Sequence, residues 1–136
     1  MDIEAYSSSL AALGAMGVLM FLQMLAADIV GILRKQVPGA PVTADHADML
    51  FRVTRTVGNT NESIAIFIIG LMLCVHSGAS AAWTAYAAWA YVATRAIYAV
   101  CYYTNQQTLR SISFGLSFVA LATLLIVGFF TGLGGN

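Results

Sequence analysis

Apolar residues run through the chain in four long blocks, Tyr6–Leu33, His46–His76, Ala81–Tyr103 and Leu109–Phe130, separated by short polar or turn-forming connections. Each block supplies the ~20 residues that cross a hydrocarbon core, so the pattern predicts four transmembrane helices. Alternating polar and apolar strand segments bounded by turn signals are absent, which argues against a β-barrel. The second block opens with a polar stripe: Arg52, Arg55, Asn59 and Glu62 step by three, four and three residues, one face of a helix turning at ~3.6 residues per turn. In the third, Tyr91, Arg95, Tyr98 and Tyr102 step by four, three and four and form a second such face. Ionisable groups in a membrane segment are costly and mark a pathway or a ligand site.

With 60% of 136 residues hydrophobic and 9% charged, the chain cannot cover a core with a wettable surface, and an integral membrane protein of one domain, residues 1–136, follows. The flank of the first block carries Asp2 and Glu4 where a secretory signal carries positive charge, so that helix is read as retained. Arg34 and Lys35 close the first helix, Arg52 and Arg55 open the second, and Arg95 and Arg110 flank the turn near Thr104, while the connection His76–Ala82 lacks Lys and Arg. The positive-inside rule then makes the cation-bearing connections cytoplasmic and both termini external, and the expected membrane is a bacterial inner membrane. Cys74 and Cys101 are expected near opposite faces, too far apart for a disulfide.

Several local expectations follow. Ala11, Gly14, Ala15 and Gly17 let a neighbouring backbone approach the first helix. Asp28 is read first as the neutralising partner of an arginine of another helix and second as a direct ligand group, Trp83 as an interfacial anchor, and Thr43 as the N-cap of the second helix. A helix from Thr43 to His76 is ~50 Å long, so its first turns reach beyond a ~30 Å core. The short turn after Tyr103 makes the third and fourth helices antiparallel neighbours and brings Tyr102 close to Arg110.

Arg55-x-x-x-Asn59-x-x-Glu62, then Arg95-x-x-Tyr98-x-x-x-Tyr102, then Arg110-Ser111, with Arg34 closing the first helix, together resemble the MAPEG superfamily, membrane-associated proteins in eicosanoid and glutathione metabolism. The resemblance spans all four helices. It implies an all-α membrane protein, an antiparallel four-transmembrane-helix bundle that is homotrimeric, with glutathione as cosubstrate between subunits on the cytoplasmic side. It further implies that Arg34, Arg52, Arg55, Asn59, Glu62, Arg95, Tyr98 and Tyr102 hold glutathione, and that Arg110 and Ser111 serve catalysis. Val57, Ser63 and Ala65 depart from the pattern.

The residue types suit that ligand. Two carboxylates, one ammonium and a thiol call for several guanidinium forks, one carboxylate and a cation near sulfur. The activity implied is a glutathione-dependent transferase or peroxidase acting on lipophilic electrophiles. The alternative is a non-enzymatic MAPEG-like scaffold that binds hydrophobic ligands, and an ion or proton pathway comes third. Membrane lipid and lipophilic small molecules are the other expected partners; no nucleic acid and no metal are.

Overall fold

The computed structural model describes residues 3–134, so Asp2 lies outside the described residues. A short 3-10 turn, Glu4–Tyr6, leads into α1 (Ser7–Leu33), α2 (Met49–Ser77), α3 (Ala81–Tyr103) and α4 (Gln107–Gly134). No strand occurs among the described residues. Three helices, α1, α2 and α4, are long and apolar enough to cross a membrane. With 23 residues α3 has the length, but it carries Thr84, Arg95 and the tyrosine face, all buried. It packs against α1, α2 and α4, which shelters those groups from lipid.

The pair α2 and α3 forms the middle of the bundle, with α1 packed against both and α4 against both. The core is built from Ala12 and Met16 of α1, Phe67, Leu71 and Cys74 of α2, Ala88 and Tyr91 of α3, and Leu121 and Leu124 of α4. Lipid is as apolar as leucine, so helices in a membrane associate by close packing rather than by escape from water. Glycines supply that closeness between α2 and α4. A Cβ at Gly128 would stand 2.8 Å from the Cys74 backbone nitrogen, and one at Gly70 3.0 Å from the Leu124 Cβ. At the same contact the Cys74 thiol donates to the Leu124 carbonyl at 3.2 Å.

Three helices end the same way. Lys35, Gly78 and Asn105 take left-handed φ values of 56°, 71° and 59° after α1, α2 and α3. The next N–H then turns back in each case: Gln36 to the Gly31 carbonyl at 3.0 Å, Ala79 to Cys74 at 3.0 Å, Gln106 to Cys101 at 2.7 Å. At the α2–α3 end the Tyr6 hydroxyl donates to the Ala79 carbonyl and ties the start of α1 to that turn. Cys74 and Cys101 belong to opposite ends, near the last turns of α2 and α3.

Two boundaries differ from the sequence reading. The second helix starts at Met49, not near Thr43 or His46, and its N-cap is Asp48, whose carboxylate accepts from the Leu50 N–H at 3.1 Å. Asp45 accepts from the Ala47 N–H at 2.8 Å, a local turn that competes with helix just upstream. The fourth helix does not stop at Phe130 but runs to Gly134, still packed beside α2 where Gly132 faces Ser77.

Candidate functional site

The end of the bundle that carries the α1–α2 and α3–α4 connections gathers most of the charged residues. Arg110 opens α4 after a connection of three residues, and the tight return lays its guanidinium 4.4 Å from the centre of the Tyr102 ring. Its Nη1 lies 3.3 Å from His46 Nδ1. From there a column of rings and cations descends into the bundle. Tyr102 meets Tyr98 edge to face at 5.1 Å, and Tyr98 lies 5.5 Å from the Arg95 guanidinium. Arg95 stands 5.4 Å from Tyr91, and Tyr91 stacks on Phe67 at 4.5 Å while its hydroxyl shares a 2.8 Å hydrogen bond with Ser63. The face read as one stripe, Tyr91, Arg95, Tyr98 and Tyr102, is thus buried along its whole length.

Arg95 is the unusual member. It is 1% exposed, and its Nε and Nη1 have no hydrogen-bond partner among the described residues. Three rings, Tyr91, Tyr98 and Phe114, surround it at 5.4 to 5.5 Å, and the negative faces of aromatic rings attract a cation.

The stripe on α2 does not behave as one face. At about 100° per residue Arg55 and Glu62 differ by only about 20°, whereas Asn59 and Arg52 both lie on the other side of Arg55 from Glu62, by about 40° and 60°. Accordingly Arg55 Nη1 pairs with Glu62 Oε1 at 3.3 Å on the outside of the bundle, their side chains 45% and 61% exposed. Asn59 is buried and its Nδ2 donates to the Arg55 carbonyl at 3.1 Å. Arg52 turns towards the connection, its Nη1 donating to the carbonyls of His46 at 2.7 Å and Ala47 at 2.8 Å. Arg34 pairs with Asp48 at 3.5 Å. Ser111 is exposed and donates to the Gln107 carbonyl of its own helix at 3.2 Å.

The candidate residues therefore fall into two groups within one chain. Tyr102 touches both Tyr98 and Arg110, with Arg95 behind Tyr98; Arg55 and Glu62 form an external pair, with Asn59 beside it. Asp28 does not neutralise an arginine: the ion pairs among the described residues are Arg34–Asp48 and Arg55–Glu62. It is exposed on α1 and lines a cavity of about 430 Å³ with Gly31, Gln36, Pro38, Leu50 and Thr54. The buried side chains of α1 are Ser9, Ala12, Met16 and Gln23, whereas Asp28 stays exposed in that cavity, which has no arginine among its lining residues.

His46 is the residue that the sequence reading does not single out. It reads there as the first residue of a helical block, but it sits in the connection, edge to face with Phe51 at 5.0 Å and 6.0 Å from Tyr102. The available signal was a titratable side chain on the same membrane side as Arg110. Chemically, this end offers a guanidinium seated on a ring, held at one nitrogen, with no carboxylate paired to it among the described residues. An anion can take the remaining donors at the depth where water and lipid meet.

The chain matches the family model described as the MAPEG family over residues 10–130. No curated protein matches it.

Proposed function

This chain belongs to the MAPEG family, and from that membership and the site geometry we propose that it is a glutathione-dependent transferase or peroxidase acting on lipophilic electrophiles. The observation that carries the reading is Arg110, a cation without a carboxylate partner among the described residues, fixed against Tyr102 at a helix start. Helix-start amides add partial positive charge there. A free thiol has a pKa near ~8.5 and is only a few per cent ionised at neutral pH. Each unit by which a guanidinium lowers that value is worth ~1.4 kcal/mol in favour of thiolate. The thiolate so formed attacks an electrophile dissolved in the adjoining lipid. Ser111, released from its helical carbonyl, is the auxiliary donor.

The active unit in this proposal is a homotrimer. Glu62 lies thirteen residues into α2, ~20 Å along the helix, and an ion pair held there against lipid is costly. A second copy covers it. The same contact sets Arg55, Asn59 and Glu62, with Arg34, opposite Tyr98, Tyr102 and Arg110 of the neighbour, so that one glutathione meets both groups. Glu62 takes the ammonium and the arginines take the carboxylates. Arg52 and Arg95, turned to the connection and to the interior, support the site from behind. By the cation distribution this end is cytoplasmic and both termini are external; the membrane in this proposal is a bacterial inner membrane.

The test is conjugation of glutathione to a lipophilic electrophile by the purified protein in detergent. Wild-type protein is expected to turn over, and Arg110→Ala to lose at least ~10-fold in kcat with a much smaller change in glutathione affinity. Failure of the wild-type protein to bind glutathione sinks the proposal in favour of a hydrophobic-ligand scaffold.

A further inference from the structure

Arg110 is held by more than Tyr102. A guanidinium has only donors, so the 3.3 Å contact between its Nη1 and His46 Nδ1 makes Nδ1 the acceptor and leaves the imidazole hydrogen on Nε2. His46 is itself restrained on two sides. Its ring meets Phe51 at 5.0 Å and Tyr102 at 6.0 Å, and its backbone carbonyl accepts from Arg52 at 2.7 Å. The Ala47 carbonyl accepts from the same Arg52 nitrogen at 2.8 Å. A line of contacts thus runs from the first turn of α2, through Arg52 and the connection, to the first turn of α4.

We propose that His46 is a positioning residue: its neutral imidazole fixes the Arg110 guanidinium on the Tyr102 ring and leaves the other guanidinium donors aimed at the thiolate. The role rests on the glutathione reading given above. A long arginine side chain at a helix start otherwise samples many rotamers and snorkels toward headgroups. Small misplacements of a group that stabilises a transition state cost large factors in rate. One nitrogen held by imidazole and one face held by a ring define the orientation that glutathione finds on arrival.

Two substitutions separate this role from simple packing. His46→Phe keeps the ring contacts with Phe51 and Tyr102 but removes the acceptor. His46→Asn places an amide oxygen near the position of Nδ1 and restores an acceptor without the ring. The full chain in detergent is assayed for kcat, for KM towards glutathione, for Tm, and for the ultraviolet absorbance of bound thiolate. His46→Phe is expected to lose ~5- to 20-fold in kcat and in thiolate absorbance, with KM for glutathione within about twofold of wild type. His46→Asn is expected to recover most of both. Wild-type thiolate and kcat in His46→Phe overturn the role, and so do equal losses in the two variants together with a lowered Tm, which mark His46 as structural. A wild-type protein that forms no thiolate removes the glutathione reading itself, and this role with it.

Discussion

Replacing Arg95 separates what its charge does from what its bulk does. The guanidinium has three rings at 5.4 to 5.5 Å and two nitrogens, Nε and Nη1, without partners. Each ring contact is worth ~0.5–2 kcal/mol, and each buried unpaired donor costs ~1–3 kcal/mol. The two effects oppose each other and nearly cancel, so most of the stability supplied by Arg95 comes from filled volume. Arg95→Met keeps an unbranched chain among Tyr91, Tyr98 and Phe114 and adds sulfur–ring contacts of ~0.3–1.5 kcal/mol. At this chain length ~1 kcal/mol moves Tm by about 4 °C, so Arg95→Met is expected within about 5 °C of wild type. Arg95→Ala leaves a cavity worth ~2–5 kcal/mol and is expected to lower Tm by at least ~8 °C. Thermal unfolding in detergent without glutathione, followed by circular dichroism, reads both. Equal losses in Met and Ala refute the reasoning, because the charge would then have an interior partner that holds the bundle together.

Other substitutions read other contacts. Gly128→Ala forces a Cβ to within 2.8 Å of the Cys74 backbone nitrogen and of the Leu73 Cβ, so α4 must move off α2; a Tm lowered by at least ~8 °C is expected, and an unchanged Tm would show that the two helices are not that close. Lys35→Gly relieves a left-handed lysine at φ 56° and is expected to raise Tm by ~2–4 °C, a fall counting against the turn geometry. Glu62→Gln removes the charge of a pair that lies on the outside of the single chain and, in the proposed trimer, at the glutathione site; it is expected to leave Tm without glutathione within ~3 °C of wild type while weakening glutathione binding ~10-fold, and a large loss of Tm instead would make Glu62 a balancing charge only.

The α3 face is legible in the sequence because a helix buried on three sides must turn its polar groups inward, and Tyr91, Arg95, Tyr98 and Tyr102 recur at the helical period. The nearness of Tyr102 to Arg110 is legible for a related reason: a short connection leaves little freedom in how two helices meet. On α2 the same periodicity misleads. Four residues within ~3 turns spread over about 80° of a helix, enough to send Asn59 inward, Arg55 and Glu62 outward and Arg52 back over its own N-terminus. The start of α2 depends on a competition among Thr43, Asp45 and Asp48 as local caps, which composition does not decide. His46 escapes notice because its partner lies 64 residues away and pairs with it through a single nitrogen.

Whether Arg110 holds glutathione as its thiolate is tested most directly by titrating glutathione into the purified protein and following the ultraviolet absorbance of the thiolate, with Arg110→Ala as the comparison. A saturable absorbance at neutral pH in wild type, lost in Arg110→Ala although glutathione still binds, is the expected result. Glutathione that binds wild type without any thiolate signal, or a signal of equal size in Arg110→Ala, contradicts it.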